Sequence, residues 1–133
     1  MKFIVTVLII APILAFAGKA EREFMNSEVN PALKAAENSF KKNCGCKLSI
    51  TVSDSLKSRS ELELAKYVAE TVASGSEKHC TDKPSKDAVC KMKTLEVTKA
   101  GETKFSFSGS RGIASTDGQV VPTFEMMTDQ LDK

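Results

Sequence analysis

Four cysteines constrain what this chain can fold into more than any other feature of its sequence. They are Cys44, Cys46, Cys80 and Cys90. In an oxidising compartment four cysteines form up to two disulfides that fix distant parts of a small domain together, whereas in the cytosol they stay reduced. The compartment in which the chain folds therefore decides how these residues are interpreted.

The N-terminus of the sequence has the residue order of an export signal. Lys2 is followed by an uncharged apolar run from Phe3 to Ala17, which ends in the small-residue site Ala15-Phe16-Ala17. The run is interrupted by Pro12 and is shorter than the roughly 20 residues of a membrane-spanning helix. We therefore expect residues 1–17 to be a cleaved signal peptide, and the remaining chain to be periplasmic or secreted without a membrane span.

The remaining 116 residues (133 − 17) are enough for one domain. We expect residues 18–30 to be a polar lead-in with a frayed helical segment, and residues 31–133 to form the domain itself. The whole chain has a formal net charge of +2, and loss of Lys2 leaves +1. A balance this close to zero predicts no electrostatic binding of nucleic acid.

Hydrophobic periodicity predicts a first group of elements. Apolar spacing at helical intervals indicates a helix over residues 31–42, which Gly45 ends. Strict alternation over residues 47–53 indicates a half-buried strand. A second helix is predicted over residues 60–74, with a capping box formed by Ser60 and Glu63 and with Gly75 as a left-handed cap.

The second half of the chain is predicted to contain most of the sheet. Residues 76–90 read as a loop with one helical turn near residues 84–89, and residues 93–98 and 104–108 alternate as two strands of a hairpin. Residues 113–115 favour a further short strand. Residues 120–133 fit either a helix that opens at Pro122 or a final strand over residues 120–126. The order α-β-α-β-β-α predicts one small α+β domain with helices on one face of a mixed sheet.

The predicted crossover brings the cysteines together. If the strands at residues 47–53 and 93–98 are parallel, their N-terminal ends meet, and Cys46 and Cys90 precede those ends. The two helices end at the same pole, near Cys44 and Cys80. A bond across the single residue between Cys44 and Cys46 is strained, so we favour the pairs Cys44–Cys80 and Cys46–Cys90. Disulfides of this length stabilise a domain by about 3–4 kcal/mol each.

Two other uses of the cysteines remain open at this point. Cys44-Gly45-Cys46 could be an exchange-active dithiol, since strained disulfides are reduced readily. Alternatively, the four cysteines with His79 could bind zinc, because thiolate and imidazole donors suit a tetrahedral site. Structural disulfides predict no free thiol in the native protein, which separates them from both alternatives.

Residues with catalytic potential are few. His79 is the only histidine, and we expect it in an exposed loop. The sequence lacks a nucleophile elbow, a phosphate-binding glycine loop and a zinc-protease helix motif. Arg111, within the glycine-flanked segment 109–112, is a candidate for binding an anion, with a polar turn as the competing interpretation.

The sequence thus predicts a small exported protein that needs no cofactor and acts by binding another protein. An inhibitor, an immunity-type protein or a subunit of an envelope assembly would fit. The alternatives are the thiol or zinc protein described above and an enzyme of unrecognised type. Recovery of one stoichiometric partner would favour binding, whereas turnover by the isolated monomer would favour an enzyme.

Overall fold

The computed structural model describes residues 18–133, so the predicted signal peptide lies outside the described residues. This part of the chain is a small α+β domain, as predicted. Its helices are α1 (Lys19–Phe24), α2 (Asn30–Cys44), α3 (Arg59–His79), α4 (Lys83–Val89) and α5 (Phe124–Leu131). Its strands are β1 (Ser49–Val52), β2 (Thr94–Lys99), β3 (Lys104–Ser108) and β4 (Arg111–Thr116).

The N-terminal segment is more ordered than the predicted frayed lead-in. α1 continues into α2 through a π-helical turn, Met25–Val29. A π-turn aligns residues five apart, and Phe24 and Val29 are both buried in the core. Arg59 covers the ring of Phe24 from outside, with its guanidinium 4.6 Å from the ring centroid. Residues 19–29 are therefore packed into the same core as the rest of the domain.

The ends of the first two long helices show one correct prediction and two wrong ones. Gly45 ends α2 in the left-handed conformation, with φ of 82°, as expected. The capping box of α3 is formed by Ser58 and Glu61 rather than by Ser60 and Glu63. Both pairs have the spacing of a capping box, and Ser58 takes the role because it has the extended backbone that an N-cap requires.

Gly75 does not end α3, which continues to His79. A Cβ atom at Gly75 would lie 2.4 Å from the Cβ of Phe124, so the glycine allows α3 and α5 to approach closely. The same helix α5 settles the alternative at residues 120–133 in favour of a helix. Its N-cap is Thr123, which follows Pro122.

The predicted hairpin between β2 and β3 is wrong. The strand order is β1-β2-β4-β3, so β4 lies between them, parallel to β2 and antiparallel to β3. β4 is longer than the predicted strand at residues 113–115. The tight turn of the sheet is the two-residue connection Gly109-Ser110, in which Gly109 has the positive φ (66°) that such turns favour. Alternation identifies a strand but does not identify its neighbours.

The two faces of the sheet differ in character. Its inner face carries apolar side chains that join the helices in one hydrophobic cluster, namely Ile50, Leu95, Val97, Phe105, Phe107 and Ala114. Helices cover this inner face alone, as predicted. The opposite face, called the outer face below, consists of Ser49, Thr51, Thr94, Glu96, Thr98, Lys104, Ser106, Ser108, Arg111, Ile113 and Ser115.

Candidate functional site

The four cysteines lie at one pole of the molecule, where the N-terminal ends of β1 and β2 meet. Disulfides join Cys44 to Cys80 and Cys46 to Cys90, the same pairing that we favoured from the sequence. The first bond connects the ends of α2 and α3, and the second connects the segments that lead into the two parallel strands. Both bonds therefore fix the crossover that builds the domain.

This pairing removes the chemistry that the two alternative interpretations need. All four cysteines are bonded, so no thiolate is present to bind zinc or to attack a disulfide. Cys44 and Cys46 are bonded to different partners rather than to each other. Among residues 18–133, no cluster of three or more histidine, cysteine or acidic residues has the geometry of a metal site.

His79 is not in an exposed loop, contrary to the prediction. It is the last residue of α3, and its side chain is 26% exposed. The Nε2 atom lies 3.8 Å from Oδ1 of Asp132 and makes no hydrogen bond, while the ring contacts Phe124 edge-to-face. No serine, threonine or cysteine nucleophile among the described residues is hydrogen-bonded to this imidazole.

A cavity of about 360 Å³ lies beside His79, between the C-terminal half of α3 and the start of α5. Its polar walls serve the fold. The hydroxyl oxygen of Thr71 accepts a hydrogen bond from the amide of Phe124, and that of Thr123 accepts from the amide of Met126. The hydroxyl of Thr128 donates to a carbonyl of its own helix. These bonds hold the first turn of α5 against α3, so the cavity is a by-product of that packing.

Arg111 lies on the outer face rather than in an anion-binding loop. Its guanidinium donates to Oε1 of Glu96 on the neighbouring strand at 2.7 Å. The carbonyl of Ser110 accepts hydrogen bonds from the amides of Lys93 and Thr94. The segment 109–112 is thus a turn whose polar groups belong to the sheet, and the competing interpretation from the sequence is correct.

The outer face is a flat array of hydroxyl groups with few charges. The pairing registers align Thr51, Glu96, Ile113 and Ser106 in one row across all four strands. Ile113 and Glu96 are half-buried at the centre of this row, and Thr51 and Ser106 are exposed at its ends. Because Glu96 is paired with Arg111 and Lys104 with Glu102, the face carries little unbalanced charge.

The absence of helices over this face is unusual for its topology. β1, β2 and β4 run parallel, and sheets of parallel strands are almost always covered on both faces. No outer-face residue belongs to the hydrophobic cluster. The outer face is therefore a polar surface of a kind that other parallel sheets bury.

One ion pair anchors α3 to the end of the sheet. Oε2 of Glu61 accepts from Nζ of Lys99, the last residue of β2, at 2.6 Å. Oε1 of the same carboxylate accepts from the amides of Lys57 and Ser58. These three donors, with the bond from Lys99 contributing most, lower the pKa of Glu61 from 4.5 to about 2. The carboxylate thus remains charged far into the acidic range.

Comparison with known proteins identifies no relative of this chain. The sequence matches no family model, and no curated protein or solved structure is significantly similar to it. Within residues 18–133, no helix is both long and apolar enough to cross a bilayer. The two intramolecular disulfides are consistent with an oxidising extracellular or periplasmic environment.

Proposed function

We propose that this protein is exported to the periplasm or the cell exterior and binds another protein through the outer face of its sheet, without catalysis. Roles as an inhibitor, an immunity-type protein or a subunit of an envelope assembly would fit. One observation carries the proposal: a sheet built mainly of parallel strands leaves one face without helical cover. A partner that covers this face would give the sheet its second layer.

The chemistry of the outer face indicates the kind of partner. Its acidic and basic side chains already neutralise each other, so a strongly charged polymer gains little by docking there. Its hydroxyl groups both donate and accept hydrogen bonds, and Ile113 provides a half-buried apolar centre. A neutral protein surface with polar side chains around a small apolar contact matches this pattern.

The polar groups elsewhere support binding rather than catalysis. The imidazole of His79 faces Asp132 and Phe124, and the hydroxyls of the neighbouring cavity hold helix α5 in place. The bonded cysteines provide no nucleophile. Export is supported by the two disulfides, which persist outside the cytosol.

The test is affinity capture from the native envelope and culture medium, using residues 18–133 as bait. Thr51→Lys places an unpaired charge on the outer face, and Thr81→Lys is its matched control at an exposed position beyond the end of α3. We expect the wild type and Thr81→Lys to recover the same stoichiometric partner, and Thr51→Lys to bind it at least about tenfold more weakly.

Two results would overturn this proposal. Thr51→Lys could retain the partner with unchanged affinity, which would place the interface elsewhere on the molecule. Alternatively, the purified wild-type monomer could turn over substrates in a hydrolase screen, in which case the protein is an enzyme. Circular dichroism of both lysine variants verifies that the substitutions leave the fold intact.

A further inference from the structure

The two edges of the sheet differ in how their backbone groups are satisfied. At the β1 edge, the outward amide of Ile50 donates to Oε2 of Glu37, a residue of α2, at 2.7 Å. This carboxylate closes that edge to another strand. At the β3 edge, no described residue outside the β3–β4 ladder is hydrogen-bonded to the backbone of residues 105–107. β3 is therefore the open edge of the described sheet.

The register shows which backbone groups β3 presents. The two-residue turn makes Ser108 and Arg111 a hydrogen-bonded pair, so residues 104, 106 and 108 bond to β4. By alternation, the amide and carbonyl groups of Phe105 and Phe107 point away from the sheet. The carbonyls of Ser110 and Thr116, which accept hydrogen bonds from the β2 side, agree with this assignment.

We propose that β3 pairs with β3 of a second copy of this chain, antiparallel and around a twofold axis at Ser106. In this register Phe105 exchanges two hydrogen bonds with Phe107 of the second copy, and the symmetric pair adds two more. Symmetric pairing around either phenylalanine would use fewer residues of the strand. The axis at Ser106 engages all five residues of β3.

The side chains of β3 suit this register. Each phenylalanine on the inner face lies opposite a phenylalanine of the second copy, and aromatic cross-strand pairs stabilise sheets. On the outer face Lys104 lies opposite Ser108 of the second copy, so like charges do not meet. Ser106 lies opposite its own counterpart. A symmetric interface requires this kind of self-complementarity.

Exposed apolar side chains next to β3 give independent support. Val120 is 56% exposed, and its carbonyl accepts a hydrogen bond from Thr103, the residue before β3. Met126 is 39% exposed on α5, the helix that packs against β3. Of the three large hydrophobic residues exposed among residues 18–133, two thus belong to the surroundings of this edge.

Pairing of this kind joins two four-stranded sheets into one of eight strands. The two outer faces become one continuous polar surface. Because a five-residue edge buries a small area, we expect a reversible dimer that dissociates on dilution. The inference is independent of the proposed partner, because it concerns the edge of the sheet rather than its face.

A cysteine at the twofold axis tests the register directly. Two facing residues of a non-hydrogen-bonded pair have Cα atoms about 4.5 Å apart, which is within disulfide reach. We expect Ser106→Cys to form a covalent dimer under mild oxidation at least about tenfold faster than Thr51→Cys. Thr51 is the matched control, because it is exposed in the same row at the closed β1 edge. Equal rates for the two variants overturn the proposal.

Sedimentation equilibrium tests the association without an added thiol. We expect wild-type protein to show a concentration-dependent dimer, and Ser106→Lys, which brings two ammonium groups together at the axis, to remain monomeric. Ser106 is exposed, so its substitution leaves the monomer folded, as circular dichroism would verify. A wild type that stays monomeric at its highest soluble concentration overturns the proposal, and the open edge would then be available to a strand from a different protein.

Discussion

Glu61 connects three parts of the domain through one carboxylate. It completes the capping box of α3, accepts from the amides before that helix and pairs with Lys99 at the end of β2. Its folded-state pKa of about 2 lies below the ordinary value of 4.5. A depressed acidic pKa stabilises the fold fully above pH 4.5, and this contribution is lost as the pH falls from 4.5 towards 2.

Glu61→Gln should therefore destabilise the protein at neutral pH and not near pH 2. We expect a loss of about 1–2 kcal/mol in the free energy of unfolding, less than the full pKa shift implies because Lys99 is partly in solvent. Urea unfolding from pH 7 to pH 2 measures it. Glu63→Gln is the matched control, since Glu63 is in the capping box predicted from the sequence but not in the observed one. A larger loss for Glu63→Gln would contradict the assignment.

At the scale of elements, the sequence predicted most strands and helices but not the neighbours in the sheet. Alternation identified the strands because each has one buried face. It could not show that β4 separates β2 from β3, since a glycine-containing turn permits adjacency in both places. The position of β4 depends on long-range packing: Gly112 makes room there for Met92 and Phe105, whose atoms lie within 3.0 Å of the position that a Cβ would occupy.

Gly75 illustrates how contact between elements overrides local propensity. In an isolated helix, replacing glycine by alanine adds about 1 kcal/mol of stability. In α3 the new methyl group would overlap with Phe124, whose ring and Cβ lie 2.4–2.7 Å away. We expect Gly75→Ala to destabilise the domain by about 1–3 kcal/mol in thermal or urea unfolding.

Gly101→Ala is the control for this prediction, because a methyl group added at Gly101 would meet no atom within 4 Å. It should change the free energy of unfolding little. Stabilisation by Gly75→Ala would contradict the close approach of α3 and α5. It would instead favour a loose C-terminal helix.

At the scale of the whole molecule, the two disulfides fix the crossover at one pole. This arrangement was predictable because a parallel pair of strands forces its N-terminal ends together, whatever the details of packing. The outer face was less predictable. Alternation indicated a polar face, but the row formed by Thr51, Glu96, Ile113 and Ser106 depends on the strand order, which the sequence did not show.

Removal of one disulfide should weaken the domain without dissolving the other bond. For Cys46→Ser combined with Cys90→Ser, we expect a loss of about 3–4 kcal/mol in the free energy of unfolding, because the unfolded chain regains freedom. Peptide mapping should still show Cys44 joined to Cys80. Cys90→Ser alone should expose one free thiol, at Cys46. A map that joins Cys44 to Cys46 would contradict this pairing.

The use of the outer face for binding can be measured at two methyl groups. Residues 18–133 contain two isoleucines: Ile113 is half-buried on the outer face, and Ile50 is buried on the inner face of the same sheet. In a spectrum of protein labelled at the isoleucine δ1 methyl groups, titration with the captured partner should shift or broaden the Ile113 signal and leave that of Ile50 in place. A partner that binds while the Ile113 signal stays unchanged would contradict binding through the outer face.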